Sequence, residues 1–509
     1  MKRYLALCVL CLALAAAVLA GGALCLSRQG EAIRPEVTAS VGDAAAARGI
    51  TVGSELLHNR RLLWSTLRDP AADTDETRFS YHTKEVVPRR EMFWDASAAQ
   101  PQLALRFCNR YDENDPLTRV AREKTGGEGT VEIPTGDYFA TYPLWLGMSY
   151  SYSYSVGSGL YNLPSLTAEK DWKDENRQGA AFPLLQVPVE AQDTLSVYYY
   201  RSGKNPDNAY MTADPLRMAH RFGCLSLREE NALYLAVCFA ADAGPQADWA
   251  PKGFGIWRIP LEKTDYPQEG PVRERPRVDA AALVFPLDIE KQAVLAFARS
   301  ADESQFLLVT AEEGQAVLRV LDGTTCQELA CIPLGSLQTV EGSVTYYLND
   351  GEYTVDYVDY PAVYVHSERD FLALAVGEEL TVFTPEDGAY TIDFQCRMAQ
   401  LRQNREDGRF YWMLGDESPK EKGGTYFRVF SPLAASYPSD FTTLPMCYRD
   451  HKLAIAWYDD STAVNLHVYG ASGLLYGEQT VLPIDRQLDP AVPGDLYNVA
   501  LVPSLAWEP

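Results

Sequence analysis

The side chains that could do chemistry lie in short turns between apolar segments. His366 is followed closely by Glu368, and His451 follows Arg449 and Asp450, while the six histidines as a whole are scattered along the chain. Recognition residues are often carried by loops on a rigid scaffold. We therefore expect a ligand or partner face, although the ordinary polarity of exposed turns explains the same pattern. The candidate residues in these turns are Asp302, Glu368, Arg369, Asp370, Arg449, Asp450 and His451.

No catalytic motif matches the sequence. The pattern H-E-x-x-H, the phosphate-binding loop, the G-x-S-x-G turn and the EF-hand loop are all absent. A glycosidase needs two carboxylates about 5 to 9.5 Å apart, whereas the acidic residues here concentrate in turns. The sequence favours a non-catalytic protein that binds a protein, peptide or glycan, or scaffolds an assembly, without metal or cofactor. A propeller-fold glycoside hydrolase or polysaccharide lyase is the alternative.

The segment MSYSYSYSV is a second candidate surface. Tyr150, Tyr152 and Tyr154 alternate with serines, so a strand would place all three rings on one face. A row of tyrosines can bind sugars or peptides by stacking and by phenol hydrogen bonds. Packing inside the fold would use the same row equally well. We include the three tyrosines among the candidate binding residues.

The elements that must position the turns are repeated. Residues 293–333 contain four short apolar runs separated by polar breaks, and residues 362–394 contain four more with similar spacing. Looser copies begin near residues 224, 397 and 446. The runs of the first copy are Ala293–Arg299, Phe306–Thr310, Val317–Leu321 and Glu328–Pro333.

The polarity of the runs changes in a regular way within each copy. The first two are almost continuously apolar, which is typical of strands covered on both faces, and the fourth is the most polar. This gradient predicts a four-stranded antiparallel sheet with its first strand innermost and its fourth outermost. Such sheets, packed face to face around an axis, form a β-propeller.

The copy at residues 293–333 resembles a blade of the WD-repeat and YVTN-type propellers. In those families an AFSPDG-like turn follows the first strand, and a VRVWD-like third strand leads into a glycine-containing turn. Here residues 299–302 stand in the first turn, residues 317–322 stand for the third strand, and Cys326 replaces the usual glycine. The Trp-Asp and Gly-His signatures are absent. The resemblance implies a propeller fold and no particular subfamily.

The spacing of the copies predicts an all-β propeller of about seven blades over residues 90–509. Two intervals between first strands are near 70 residues, longer than the 40 to 50 of common blades. The sequence Asn349-Asp350-Gly351 predicts an additional hairpin within one of them. Two less regular blades are expected in residues 90–223.

The N-terminus predicts a membrane anchor. Tyr4–Leu26 has no charged residue and is long enough to cross a bilayer, which takes about 20 residues. Lys2 and Arg3 precede it, so the positive-inside rule places the C-terminal domain outside the cytoplasm. A cleaved signal peptide, and hence a secreted protein, is the alternative.

Residues 27–89 read as a polar stalk. The first part, SRQGEAIRPEVTASVGDAAAARG, is polar and aperiodic. Ser54 could begin a short helix through ELLHNRRLLWSTL, with leucines and Trp64 as its apolar side. A docking helix and an irregular linker fit this segment equally well.

Cysteine spacing and charge exclude some functions. Seven cysteines follow the N-terminal segment, and none of them has zinc-site spacing. Cys326 and Cys331 would lie roughly 16 Å apart if one ends the turn and the other is mid-strand, too far for a disulfide. The formal net charge is −24, which disfavours nucleic acid, because its binding requires basic side chains at the phosphates.

Overall fold

The computed structural model describes an all-β chain over residues 33–58, 61–82, 86–92, 100–105, 116–126, 129–149, 154–162, 178–191, 193–202, 205–210, 222–229, 231–264, 273–348, 351–386, 388–404, 410–413, 426–430, 444–458, 463–483 and 498–508, with scattered positions between 11 and 32. One α-helix, Pro116–Thr125, lies among the strands of this part of the chain.

The strands are numbered in chain order. They are β1 Glu36–Gly42, β2 Ile50–His58, β3 Leu62–Asp69, β4 Thr74–Tyr81, β5 Val86–Met92, β6 Gln100–Leu105, β7 Gly129–Pro134, β8 Leu144–Ser149, β9 Tyr154–Asn162, β10 Gln178–Ala181, β11 Thr194–Ser202, β12 Asn205–Tyr210, β13 Phe222–Glu229, β14 Ala232–Phe239, β15 Phe254–Thr264, β16 Arg273–Pro276, β17 Ala282–Leu287 and β18 Gln292–Arg299. The remainder are β19 Gln305–Glu312, β20 Gln315–Asp322, β21 Glu328–Ser336, β22 Val340–Leu348, β23 Gly351–Asp359, β24 Val363–Ser367, β25 Leu372–Val376, β26 Glu379–Glu386, β27 Ala389–Arg397, β28 Gln400–Asn404, β29 Phe410–Met413, β30 Tyr426–Phe430, β31 Met446–Arg449, β32 Lys452–Tyr458, β33 Val464–Gly470, β34 Gly473–Val481 and β35 Asn498–Trp507.

Two sheets have the predicted four-stranded meander. Sheet 4 has the order β18-β19-β20-β21, and sheet 5 has the order β24-β25-β26-β27. All neighbours in them are antiparallel, with Leu318 opposite Ile332 in sheet 4. The prediction that Val317–Leu321 and Glu328–Pro333 form adjacent antiparallel strands is therefore confirmed. The hairpin predicted around residues 349–351 is also present, as β22 and β23.

Burial varies from strand to strand in a manner that partly differs from the expectation. The second strands are almost wholly buried, as in β19, and the fourth strands alternate between exposed and half-buried residues, as in β21. The first strands were expected to be covered on both faces, but β18 and β24 are only half-buried. A first strand has a paired neighbour on one side only and loses cover on the other, whereas the second strand lies between two neighbours.

The two ends of the chain are joined in adjacent sheets. Sheet 1 has the order β35-β2-β3-β4, so the last strand of the chain pairs with the second, with Ile50 opposite Trp507. Sheet 6 has the order β31-β32-β33-β34-β1, so the first strand adds to the outer side of the last meander. There Gly42 lies opposite Tyr476. Strands from both termini thus complete sheets made mostly of the other terminus.

Six sheets pack one after another. Sheet 2 consists of β6, β8 and β10, and sheet 3 of β13, β14, β15 and β17 with β16 at the side. One apolar cluster joins sheets 2, 3 and 4, a second joins sheets 4 and 5, a third joins sheets 5 and 6, and a fourth joins sheets 6 and 1. The remaining paired strands form smaller sheets: β5 with β9, β7 with β11 and β12, β22 with β23, and β28 with β29 and β30.

The segment predicted to be a stalk with a short helix belongs to the sheets instead. Residues 54–58 belong to β2 and residues 62–67 belong to β3, with Leu56 opposite Trp64. The helical interpretation failed because the leucines and Trp64 fit both a helical and a strand periodicity. The strand is selected by pairing with β35, which lies more than 400 residues away in the sequence. The predicted boundary at residue 90 therefore does not separate a stalk from the sheets.

The described residues of the N-terminal segment, among them Cys11–Val18, are helical and exposed. Among the residues that the structure describes, no helix combines the length and apolar character needed to cross a bilayer.

Candidate functional site

The three predicted turns lie on one edge of neighbouring sheets. They join the first and second strands of sheets 4, 5 and 6 at residues 300–304, 368–371 and 450–451. Because a meander reverses direction at every turn, the turns between third and fourth strands lie on the same edge. We call this edge the first-turn face. Gln305 of sheet 4 donates from Nε2 to the carbonyl oxygen of Gly388, in the third turn of sheet 5, at 2.8 Å.

Asp302 holds its own turn together. Its carboxylate accepts hydrogen bonds from the Ser300 hydroxyl at 2.6 Å and from the backbone and hydroxyl of Ser304 at 3.1 and 2.8 Å. These bonds lower the pKa of Asp302, that from Ser300 most strongly. The amide of Ala301 then donates to the hydroxyl of Ser367 in sheet 5 at 3.0 Å. Asp302 thus organises the turn and its contact with the next sheet.

His366 lies inside the face. Its side chain is buried, its ring stacks on Tyr364, and its Nε2 is 3.3 Å from a carboxylate oxygen of Glu368. Burial lowers the pKa of His366, and Glu368 partly opposes that effect. Glu368 itself is about half exposed, at 51%. The exposed Glu368 carboxylate can accept a hydrogen bond from a ligand, whereas the buried Nε2 of His366 is covered and supports the carboxylate from inside the face.

His451 belongs to a neighbouring cluster. Its Nδ1 is 2.5 Å from Oδ1 of Asp393, and the Tyr448 hydroxyl donates to the other oxygen of Asp393 at 2.9 Å. Burial and the bond to Asp393 raise the pKa of Tyr448 to about 12. Phe371 connects the two histidine clusters, because its ring lies 5.7 Å from His366 and 5.8 Å from Tyr448. The structure therefore brings both histidines to the contact between sheets 5 and 6, where His366 lies beside Glu368 and His451 lies beside Asp393.

The turn that carries His451 has an unusual backbone. Asp450 and His451 both have positive φ, 48° and 60°, as a two-residue type I′ hairpin requires. Glycine is favoured at the second of these positions, and the β19–β20 turn does place Gly314 after Glu313, both with positive φ. His451 is 82% exposed. A strained and exposed histidine fits a role in recognition better than a role in packing.

The remaining candidate residues divide between structure and surface. Arg449 donates to the carbonyl oxygen of Glu508, which links sheet 6 to sheet 1. Arg369, Asp370 and Asp450 are exposed. Tyr150 and Tyr152 lie outside the described residues. Tyr154 begins β9 opposite Met92, and its side chain is not described.

The structure contains a buried ion pair between sheets 6 and 1 that the sequence does not predict. Arg68 donates from Nε and Nη2 to the two oxygens of Glu478 at 2.6 and 2.7 Å, and from Nη2 to Asp73 at 3.0 Å. The side chains of the pair are 9% and 5% exposed. Hydrogen bonding to Glu478 raises the pKa of Arg68. The Tyr476 hydroxyl donates to Glu478 at 2.8 Å. No local sequence pattern predicts this pair, because its two members are 410 residues apart.

A narrow cavity adjoins this pair. Its volume of about 10 Å³ is close to the space that one water molecule needs. The lining includes Pro35, Ser54, Thr66, Arg68 and Glu478. A space of this volume can hold one bridging water and is too small for an organic ligand. The Arg68–Glu478 ion pair itself links sheets 1 and 6, the two sheets in which the chain ends meet.

Metal binding and thiol reactivity were assessed from the His, Cys, Asp and Glu side chains of the described residues. No group of three or more His, Cys, Asp or Glu side chains in that part of the chain is arranged to hold a metal ion. Cys326 and Cys331 are not bonded to each other, as predicted; both are free, with Cys326 buried and Cys331 exposed. Burial raises the pKa of the Cys396 and Cys447 thiols to about 12, which keeps them protonated and unreactive.

Comparisons with known proteins give weak similarities only. No known family profile and no curated protein matches the chain. A Lactobacillus plantarum crystal structure has 11% identity and a TM-score of 0.23, covering 83% of this chain and 91% of its own. A 6-phosphogluconolactonase-like protein from Bacteroides fragilis has 7% sequence identity and a TM-score of 0.18, and the match covers 72% of this chain and 97% of that protein. The dihydro-heme d1 dehydrogenase NirN has 11% sequence identity and a TM-score of 0.17, and the match covers 94% of this chain and 81% of that protein. At these scores the matches identify no function for this chain.

Proposed function

We propose that sheets 1 to 6 are the blades of one closed β-propeller. The support is the pairing of both termini: β35 completes sheet 1 and β1 extends sheet 6, and an apolar cluster joins these two sheets. A ring built from one chain needs such a junction where its ends meet. The expected seventh blade is replaced in this proposal by hairpins and small sheets inserted between blades.

The function that this geometry supports best is binding through the first-turn face, without catalysis. The observation that carries it is the set of cross-sheet contacts along the face: Ala301 to Ser367, Tyr448 and His451 to Asp393, and Arg449 to Glu508. They connect four consecutive sheets. A face fixed in this way presents its exposed side chains in one arrangement, which reduces the ordering cost of binding.

The exposed groups indicate the class of partner. Glu368, Asp450 and His451 are exposed by 51%, 81% and 82%, and Arg369 is exposed beside them. Charges of both signs at short range suit a protein, a peptide or a polar glycan, whose donors and acceptors alternate. Nucleic acid is not proposed as a partner, because a chain with a formal net charge of −24 repels it.

The proposal includes anchoring in the cell membrane with the sheets outside the cytoplasm. The support is the uncharged run Tyr4–Leu26 and the helical, exposed conformation of Leu12, Leu14 and Val18, at 70%, 57% and 70% exposure. Mass spectrometry of the native protein tests it. An intact N-terminus supports retention, and a mature terminus between Gly21 and Arg28 shows cleavage and a secreted protein.

A pull-down with altered ectodomain tests the binding face. The double variant Glu368→Ala/Asp450→Ala changes exposed side chains and leaves the Asp302 turn intact. The matched control is Glu313→Ala/Lys252→Ala, two exposed residues in turns at the opposite edge. We expect partners from envelope extract to be lost with the first variant only. Equal recovery with both variants contradicts the proposal, as does cleavage of a polysaccharide by the unaltered protein.

A further inference from the structure

A buried histidine adjoins an exposed carboxylate of the first-turn face. The side chain of His366, in β24, is 7% exposed, and its Nε2 is 3.3 Å from Oε1 of Glu368, which is 51% exposed. That nitrogen is buried and has no aligned hydrogen bond to another residue that the structure describes. The carboxylate of Glu368 is therefore in contact with a buried nitrogen on one side and with solvent on the other.

Aromatic rings cover the imidazole of His366. The ring of Tyr364 is nearly parallel to it, with an interplanar angle of 5°, and the Phe371 ring lies 5.7 Å away between centroids. Phe371 in turn contacts Tyr448 of sheet 6, and the Tyr364 hydroxyl accepts a hydrogen bond from the amide of Leu444 at 3.2 Å. An imidazolium at this position has few water molecules to stabilise it.

The titratable groups around His366 come from sheets 5 and 6. Burial raises the pKa of the phenols of Tyr364 and Tyr448 and of the Cys447 thiol, so these groups are neutral in neutral and acidic solution. Asp393 of β27 is held by hydrogen bonds to Tyr448 and His451. The remaining charged residues of the two turns are Arg369, Asp370, Arg449, Asp450 and Lys452.

Two opposing effects decide the charge of His366. Burial lowers the pKa of His366 below its ordinary value of about 6.5, and the negative charge of Glu368 partly opposes this effect. The imidazole is therefore neutral at pH 7 and takes up a proton only below pH 6.5. Glu368 is the counter-ion that makes this protonation possible inside the fold, because a buried charge without a partner is strongly unfavourable.

A partner and a proton on His366 compete for the same carboxylate. A donor of the partner that binds Glu368 occupies the oxygens that the imidazolium needs, and a cationic donor also places a like charge near His366. Linkage makes the effect reciprocal, so protonation of His366 weakens the binding of that donor as much as the donor opposes protonation.

We propose that His366 is a proton switch of the first-turn face, whose imidazolium holds Glu368 and releases the partner in acidic solution. The inference rests on the binding in the proposed function and adds its regulation. His366 acts as a positioning residue, since it is covered and works through Glu368. The group that it releases is a hydrogen-bond donor of the partner, such as a lysine or arginine side chain of a protein or peptide.

The coupling is measured first on the full chain in detergent micelles, without a partner. Histidine Cε1 is labelled with carbon-13, and the resonance of His366 is the one that His366→Gln removes. We expect Glu368→Gln to lower the pH at which His366 titrates, because the counter-ion of the imidazolium is lost. His82→Gln, a matched change at the half-buried histidine after β4, should leave that pH unchanged. Titration of His366 at the same pH with and without the Glu368 carboxylate would overturn the proposal.

Release is then measured with the partner that the unaltered chain captures from envelope extract at pH 7.5. We expect about fivefold less of it to remain bound after a wash at pH 5.0, and His366→Gln to retain it at both pH values. His366→Phe should do the same and keeps the packing against Tyr364 and Phe371, so it replaces the glutamine variant if that one does not fold. His451→Gln should bind less at both pH values and keep the fivefold ratio.

The outcomes separate the two possible failures. If the unaltered chain captures nothing at pH 7.5 beyond what Glu368→Ala/Asp450→Ala captures, the proposed function is wrong and the switch fails with it. If a partner is captured through these residues but its release at pH 5.0 is the same from His366→Phe as from the unaltered chain, only the switch is wrong. Loss of the fivefold ratio in His451→Gln also overturns it, because the proton would then act at His451.

Discussion

At the scale of single residues, the side chains that the sequence singled out divide into two groups. Asp302 and Arg449 hold turns and sheets together. Glu368, Asp450 and His451 remain exposed on the same edge. The sequence could predict that these residues share a face, because the repeat spacing places them in equivalent turns. It could not predict Asp393 as the partner of Tyr448 and His451, because that contact depends on how sheets 5 and 6 pack.

The backbone strain at His451 leads to a first prediction. His451→Gly should raise the free energy of unfolding by about 1 kcal/mol, because glycine adopts positive φ without the cost of about 1 to 2 kcal/mol that other residues bear. The lost hydrogen bond from the exposed His451 ring offsets only part of that gain, because Asp393 keeps its second hydrogen bond, from the Tyr448 hydroxyl. Urea unfolding measures the change. A loss of stability would show that the contact with Asp393 matters more than the strain, and binding should weaken in either case.

The buried ion pair leads to a second prediction. Arg68→Met should lower the free energy of unfolding by about 3 to 5 kcal/mol, because Glu478 is then left buried without its partner. The double variant Arg68→Met/Glu478→Leu should recover most of that loss, since an apolar pair of similar volume replaces the charges. Chemical denaturation of the two variants compares them. Equal losses in both would mean that the pair contributes through its shape and not through its charge.

Burial of His467 leads to a third prediction, on acid stability. Burial lowers the pKa of His467 to about 3, below its ordinary value of about 6.5. The unfolded chain therefore binds a proton that the folded chain does not bind between these values, and stability is lost as pH falls from about 6.5 toward 3. Above pH 6.5 this contribution is fully present.

The measurement is urea unfolding at several pH values in that window. In His467→Gln the decline between pH 6.5 and 4.5 should be shallower than in the unaltered protein. His82→Gln, a change at the half-buried histidine that follows β4, serves as the control. Identical pH profiles for the unaltered protein and His467→Gln would refute the assignment.

At the scale of elements, the four-run pattern predicted sheets 4 and 5 because their strands are consecutive and their turns short. Sheet 1 was missed because β35, the strand at one edge of it, comes from the other end of the chain. Pro503 illustrates the difficulty. A proline argues against a central strand, yet it lies in β35 where the register with β2 shifts between Gly53 and Glu55, a bulge that tolerates a missing N–H.

The two strands that join the chain ends should differ in importance, which is the fourth prediction. Ala506→Pro in β35 should cost about 3 kcal/mol or more, because Ala506 lies opposite Thr51 in a hydrogen-bonded pair and proline removes that ladder bond inside sheet 1. Val41→Pro in β1 removes the corresponding bond to Gly477 but should cost clearly less, because β1 is a mostly exposed fifth strand at the edge of sheet 6. Thermal unfolding of both variants provides the comparison. Equal costs would mean that β1 stabilises the fold as much as β35.

At the scale of the whole molecule, the two edges of the sheets differ. The first-turn face carries the fixed turns and exposed polar groups, and the opposite edge receives the start of β1, where Glu36 lies opposite Val481. Sequence patterns could predict the repeated sheets. They could not place β1 on sheet 6, because that position is a long-range pairing with no local signal.

Photo-crosslinking in intact cells tests the central claim, binding through the first-turn face, most directly. A photoreactive amino acid at Glu368 or Asp450 probes that face, and the same residue at Glu313 or Lys252 probes the opposite edge. The account predicts discrete adducts of one partner from positions 368 and 450 and none of that partner from 313 and 252. Adducts of a shared partner from 313 and 252, with none from 368 and 450, would contradict it.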